Sequence, residues 1–152
     1  MLTVEDKIRS DLKIAVKEEN EIIRTTLRTV LAVILDQNKK KEYEKSASLT
    51  NEEMMEIVSS EVKKRRDAKK EFERGSRQDL VTKEEAEIKI LSKYLPEQLS
   101  DDELRDIINK TLEEIGASEQ KDLGKAMGAV MLKVKGKADG NKIIEIVKEA
   151  LK

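Results

Sequence analysis

Apolar residues along this chain recur at three- and four-residue intervals, the spacing of one helical face, and strand formers are too few and too scattered for a sheet. Thr3 with Asp6 reads as an N-cap followed by an acid in the first turn, and the stripe Ile8, Leu12, Ala15 and Val16 predicts a first helix. The stripe loses phase around Glu19 to Glu21. It resumes as Ile23, Leu27, Val30, Leu31, Ile34 and Leu35, predicting a second helix to about Lys41, while the charged and small residues from Asn38 to Ser48 read as a loop. Thr50 with Glu53 forms a capping box ahead of Met54, Val58, Val62 and Phe72, a third helix ending at Gly75. A fourth carries Ala86, Ile90, Leu91, Tyr94 and Leu95, opened by Thr82 with Glu85 or by Asp79.

Pro96, the single proline, restricts the residue before it and stops that helix. A domain boundary therefore falls there, giving an N-terminal helical bundle over 1–95 and a smaller three-helix domain over 96–152. In the second domain Ser100 with Glu103 is the clearest capping box of the chain, followed in phase by Leu104, Ile107, Ile108, Leu112 and Ile115 until Gly116. Leu123, Met127, Val130, Met131 and Val134 predict a sixth helix closed by Gly136, and Asp139 caps a seventh with Ile143, Val147, Ala150 and Leu151. The fold class is all-α, four helices followed by three.

Composition narrows the chemistry. Charged residues make up 41% and aromatics 2%, the latter being Tyr43, Phe72 and Tyr94, a balance of solvated helices with aliphatic seams. With no cysteine and no histidine there is no disulfide, thiolate nucleophile, Cys/His metal site or Ser-His-Asp triad. No metal and no cofactor is expected. The N-terminus lacks an apolar signal-like run, and Val30 to Leu35 is far too short to span a bilayer, so a cytoplasmic location with no membrane partner is expected. A net charge of -1 means that any electrostatic footprint is local rather than global, and no DNA partner is expected.

Most carboxylates stand at helix starts or at pairing distance from lysine and arginine. Glu61 and Arg65, four apart, read as a solvated helix face rather than an acid and a base in a pocket. Ser59 and Ser60 precede Lys63 and Lys64, but these lysines belong to the charged side of the third helix, whereas Ser-Lys catalysis needs a desolvated amine. Lys135-Gly-Lys137 lacks the strand and the hydroxyl residue of a phosphate loop. Catalysis by the chain alone has no constellation of side chains to carry it.

Charge geometry is more informative. Six lysines (Lys121, Lys125, Lys133, Lys135, Lys137 and Lys142) lie between positions 121 and 142 against only Asp122 and Asp139, while the preceding helix carries Asp101, Asp102, Glu103, Asp106, Glu113 and Glu114. Gly124, Gly128, Gly136 and Gly140 interrupt the same stretch. A glycine inside a helix costs roughly 1 kcal/mol against alanine, so Gly124 and Gly128 imply close approach to the backbone, by another helix or by a polyanion. Lysine ammonium groups and bare backbone amides both suit phosphate oxygens. Arg24 and Arg28, one turn apart, with Arg65 and Arg66 on a neighbouring helix, form a second basic group, read either as interhelical salt bridges or as RNA backbone contacts. Three scattered aromatics make no stacking platform, so RNA would be recognised by shape and backbone.

Three ordered segments, Arg65-Arg-Asp-Ala-Lys-Lys-Glu-Phe72, Tyr94-Leu-Pro-Glu-Gln-Leu-Ser100 and the glycine-lysine run from Gly124 to Gly140, resemble the YqeY family over nearly the whole chain. The third segment also looks like the C-terminal tail of the B subunit of the tRNA-dependent amidotransferase, which converts misacylated Glu-tRNA(Gln) or Asp-tRNA(Asn) to the amide. The resemblance implies an all-helical fold with a larger N-terminal bundle and a small three-helix C-terminal domain. It also implies contact with tRNA at Lys125, Lys133, Lys135 and Lys137, without the ATP and Mg²⁺ cradle or the amidase component. Leu132 departs from the proline expected before Lys133, which lets the sixth helix continue to Val134.

The reading that follows is a noncatalytic helical module that binds tRNA or another structured RNA, or supports tRNA-dependent amidation, through Lys125, Lys133, Lys135, Lys137 and Lys142, with Arg24 and Arg28 as further candidates. Two alternatives stand beside it. One is a protein-interaction module receiving a partner helix at Gly124 and Gly128; the other is a carbon–nitrogen ligase with glutamine as amido donor, implied by kinship alone.

Overall fold

In the computed structural model residues 2–152 are described, and among them are seven α-helices and no strand. They are α1 (Val4–Lys17), α2 (Glu21–Lys45), α3 (Asn51–Arg74), α4 (Gln78–Ser92), α5 (Asp101–Ile115), α6 (Leu123–Val134) and α7 (Gly140–Ala150), with a 3₁₀ turn at Gln120–Asp122. The protein is all-α. The helices group into two compact units that divide between Leu95 and Pro96.

In the first unit the caps lie where the hydroxyl residues place them. Thr3 and Thr50 each accept a hydrogen bond from the backbone N–H three residues on, and Asp6 and Glu53 reach back to complete both boxes. Asn20 caps α2 by accepting from the Ile23 N–H at 3.2 Å, and the loss of phase before it is a tight turn with Glu19 at φ 55°. α2 does not stop near Lys41. Lys39 through Lys45 are good helix formers, so the helix continues to Lys45 and ends on Ser46 in the left-handed region. α4 opens at Gln78 rather than at a hydroxyl cap, with Arg77 and Asp79 paired across its first turn at 3.1 Å.

Ile8, Leu27, Val30, Ile34, Val58, Val62 and Leu91 are fully enclosed in the core of this unit. Val16 is 44% exposed, so the stripe of α1 ends at Ala15. Tyr94 closes one edge by donating its hydroxyl to Asp11, and burial followed by that bond drives the phenol well above its usual range. The Glu61 and Arg65 pair is not a solvated face. Glu61 is 5% exposed and accepts from Arg65 at 3.3 Å, while Arg65 also stands 3.8 Å from Glu87 of α4, whose carboxylate accepts from Thr26 of α2 at 3.4 Å. The i,i+4 spacing fixes that the two charges meet but not which side of the helix they occupy. Here α3 turns them into its seam with α4. Burial, then the neighbouring Glu87 charge, raise the Glu84 carboxyl beside them, against the pull of Arg65.

The second unit packs α5, α6 and α7 around Leu104, Ile108, Ala126, Val130, Val134, Ile143 and Val147. Ser100 caps α5 by accepting from the Glu103 N–H at 3.2 Å, and Gly116, at φ 67°, terminates it in the left-handed region. Asp139 caps α7 by accepting from the Asn141 N–H. The C-terminus is fastened across the unit: the Lys152 N–H donates to the Ser118 carbonyl at 2.8 Å, and the Gln120 amide donates to the Leu151 carbonyl at 2.8 Å.

Candidate nucleic-acid interface

The acids of α5 answer much of the lysine charge. Lys133 on α6 reaches Glu114 at 2.8 Å, and Lys142 on α7 reaches Asp101 at 3.5 Å and Glu145 at 3.9 Å. Lys125 donates to the Ile115 carbonyl at 3.0 Å, satisfying one of the carbonyls that the end of α5 leaves without an intrahelical partner. Lys121 pairs with Glu119 at 3.4 Å. Lys135 is exposed beyond α6, and the half-buried Lys137 makes no ion pair among the described residues. Asp122, one of the two acids within the run, is occupied by the backbone: the Ser118 and Glu119 N–H groups hold its carboxyl below the usual range. The ion pairs of Lys121, Lys133 and Lys142 are at the surface and weak, so a phosphate can exchange with them.

The glycines separate into different roles. A Cβ added at Gly124 or Gly128 would meet nothing within 4 Å, and both residues are exposed. Helix packing within the chain is therefore not the reason for either. Together with Leu132, 90% exposed, they form an outward stripe at i, i+4 and i+8 on α6, free of bulk except at its last position. Gly140 is likewise open, at the first position of α7. Gly136 is structural: its φ of 78° ends the lysine turn, and the Pro96 ring lies 3.8 Å from where a Cβ would stand.

That turn is held by two residues of the Tyr94 to Ser100 segment to which no spacing assigns a role. The Gln98 amide donates to the Gly136 carbonyl and to the Pro96 carbonyl, both at 2.8 Å, and the Leu99 N–H donates to the Lys137 carbonyl at 2.8 Å. The segment after Tyr94 thus fixes the backbone from which Lys135 and Lys137 project. Two of the three segments that carry the family resemblance are physically one feature.

Arg24 and Arg28 lie in the first unit, on α2, the former half-buried and the latter exposed. Neither makes an ion pair among the described residues, so the salt-bridge reading of them has no contact behind it. Arg65, grouped with them by sequence, is spent inside the core on Glu61 and Glu87. Among the described residues no group of three or more acids could hold a metal ion.

A helical bundle followed by a three-helix unit with a glycine-lysine helix defines the class of protein. The chain matches the YqeY family (Yqey-like protein) over residues 5–151, and it belongs to that family. Among curated relatives it is 28% identical to Altered inheritance of mitochondria protein 41, mitochondrial, of Pyrenophora tritici-repentis, over 87% of this chain and 71% of that protein. It is 32% identical to the protein of the same name from Clavispora lusitaniae, over 84% of this chain and 71% of that one. A further match, 38% identical over 77 residues, is to the E subunit of the Glutamyl-tRNA(Gln) amidotransferase of Saccharolobus solfataricus, covering 49% of this chain and 12% of that protein. This match supports the resemblance to the tRNA-dependent amidotransferase.

These relatives correct the expectation of a cytoplasmic protein, since the two matched over 71% of their length are both named as mitochondrial. The expectation rested on missing apolar segments. No helix among the described residues is long and apolar enough to cross a membrane, but that property does not select a compartment.

Proposed function

We propose that this chain is a noncatalytic helical module that binds the phosphate backbone of tRNA, or of an RNA folded like it, in support of tRNA-dependent amidation. The observation that carries the reading is the outward face of α6, where Gly124 and Gly128 present bare backbone to open space between Lys121, Lys125 and Lys133. Glycine there weakens the helix, and nothing inside the chain uses the room it leaves. The match to a protein named as part of a Glutamyl-tRNA(Gln) amidotransferase supports tRNA as the polyanion. Lys125, Lys133, Lys135, Lys137 and Lys142 supply the charge, and Gln98 positions the turn that carries two of them.

The test is filter retention of bulk tRNA against salt for the wild type and for a variant with Lys125, Lys133, Lys135 and Lys137 changed to Glu. About four phosphate contacts at this face contribute on the order of the third or fourth power of salt to retention, and the variant should lose that share of the slope. Superimposable curves would rule the face out.

The exposed Leu132 favours a second reading, in which the Gly124, Gly128 and Leu132 stripe receives a partner helix. An affinity pulldown that returns one stoichiometric protein after nuclease treatment, and loses it in Leu132→Glu, would decide for that reading.

A further inference from the structure

The first unit carries a basic groove that no charge count along the sequence exposes. Arg66, Lys69, Lys70 and Glu73 stand at i, i+3, i+4 and i+7 on α3, and Glu85 and Lys89 at i and i+4 on α4, so each helix turns one stripe toward the same cleft. The cleft is open and encloses about 450 Å³. Four cations and two acids line it, but the acids are not shared evenly. Lys69 reaches both, Glu85 at 3.2 Å and Glu73 at 3.8 Å. Arg66, Lys70 and Lys89 are left without an ion pair among the described residues.

We propose that this α3–α4 groove is a second RNA-backbone site, in which Arg66, Lys70 and Lys89 contact successive phosphates. Three unpaired cations along one cleft repel each other, and an anion entering it relieves that repulsion. Arg66 and Lys70 are one turn apart, with Cβ atoms roughly 5–6 Å from each other, a separation comparable to that of neighbouring phosphates on a strand. Arg66 brings a planar fork that can hold one phosphate through two bonds, and the lysines act as mobile point charges. No aromatic ring lines the cleft, so bases are not read and the contact is to the backbone. The choice of RNA rests on the function proposed above; the groove's demand for a polyanion does not.

The experiment compares four proteins in the same tRNA retention assay: the wild type, Arg66→Glu with Lys70→Glu and Lys89→Glu, the four-lysine variant of α6 and its turn, and a charge-matched control with the exposed Lys13, Lys39 and Lys110 changed to Glu. The groove variant is expected to lose about two from the slope of log binding against log salt, the share of three backbone contacts, while the control keeps the wild-type slope. Far-UV circular dichroism verifies the helices of each, and a neutral version with Gln at the three groove positions is expected to lose the same slope with a smaller fall in affinity. A groove variant that follows the control overturns the proposal. If the α6 variant alone loses slope, the α6 face stands and the groove fails; if the groove variant alone loses it, the groove stands and the α6 face fails. A wild type that is not retained at all overturns both. Displacement of tRNA by poly-glutamate at equal charge would overturn RNA as the occupant in favour of an acidic protein.

Discussion

In the C-terminal unit Lys133, Lys142 and Lys121 each face an acid of their own unit within 3.5 Å, whereas in the N-terminal groove Lys69 alone engages both Glu73 and Glu85 and leaves three cations unanswered. By sequence the order of interest was the opposite, because the lysines cluster at positions 121–142 and the groove residues are diluted among Asp67, Glu71 and Glu73. Clustering along a chain measures composition. Availability depends on which acids the fold brings within reach, and α5 is an acidic helix packed directly on α6. The lysine face binds anions by exchanging weak surface pairs, the groove by filling a charge deficit.

Two adjacent arginines put the contrast under the greatest strain. Arg65 is 12% exposed and its Nε has no hydrogen-bond partner, and Arg65→Met would leave the largely buried Glu87 without a cation and Glu61 with Lys64 alone, at 2.9 Å. A loss of about 3 kcal/mol is expected on urea unfolding. Arg66→Met, on the groove, should stay within about 0.5 kcal/mol. Equal losses would mean that Arg66 is structural and that its charge is not free for a ligand.

The glycines give the next largest effects, with opposite signs. Gly136→Ala places a side chain at φ 78° and is expected to destabilise by about 1–2 kcal/mol. Gly124→Ala and Gly128→Ala fill open space on a helix and should each stabilise by up to about 1 kcal/mol while weakening tRNA retention. Thermal unfolding and retention measured on the same samples check both. If the alanines raise stability and leave retention untouched, the outward stripe of α6 is not where the RNA lies.

Glu114→Gln releases Lys133 from its surface partner, at a stability change below about 1 kcal/mol. If the α6 face is limited by internal pairing, tRNA retention at low salt should rise modestly, and a fall would show that the pair orients Lys133 for binding. The smallest effect lies outside both surfaces. The Lys41 side chain and the Thr50 N–H hold the Glu53 carboxyl down from 4.5 to about 2. A carboxyl depressed in the folded state contributes stability that is present above pH 4.5 and lost as pH falls toward 2, and Glu53→Gln should flatten the acid limb in that window.

Cap chemistry made most of the fold legible. Thr3, Thr50, Ser100 and Asp139 start helices where their side chains can accept an N–H, and the apolar stripes that follow allow few other arrangements. Sequence pattern and structure part where charge reads as loop or as solvent. Lys39 to Lys45 extend α2 because lysine and glutamate favour helix, and Glu61 with Arg65 lies inside because tertiary packing chose the face. Of the candidate site, the lysines and open glycines are visible in the sequence, while the groove is not, since its two stripes sit on different helices and only the fold shows that Lys69 engages both acids and leaves the other three cations unpaired. Gln98 was hidden for a similar reason: its partner Gly136 lies 38 residues away.

Both surfaces stand or fall on whether this chain binds an RNA phosphate backbone. Retention of bulk tRNA by the intact protein, followed as salt is raised from about 50 to about 200 mM, asks that question with the fewest assumptions. A steep, linear fall of log binding against log salt is predicted, and absence of retention at the lowest salt, or retention indifferent to salt, would contradict it.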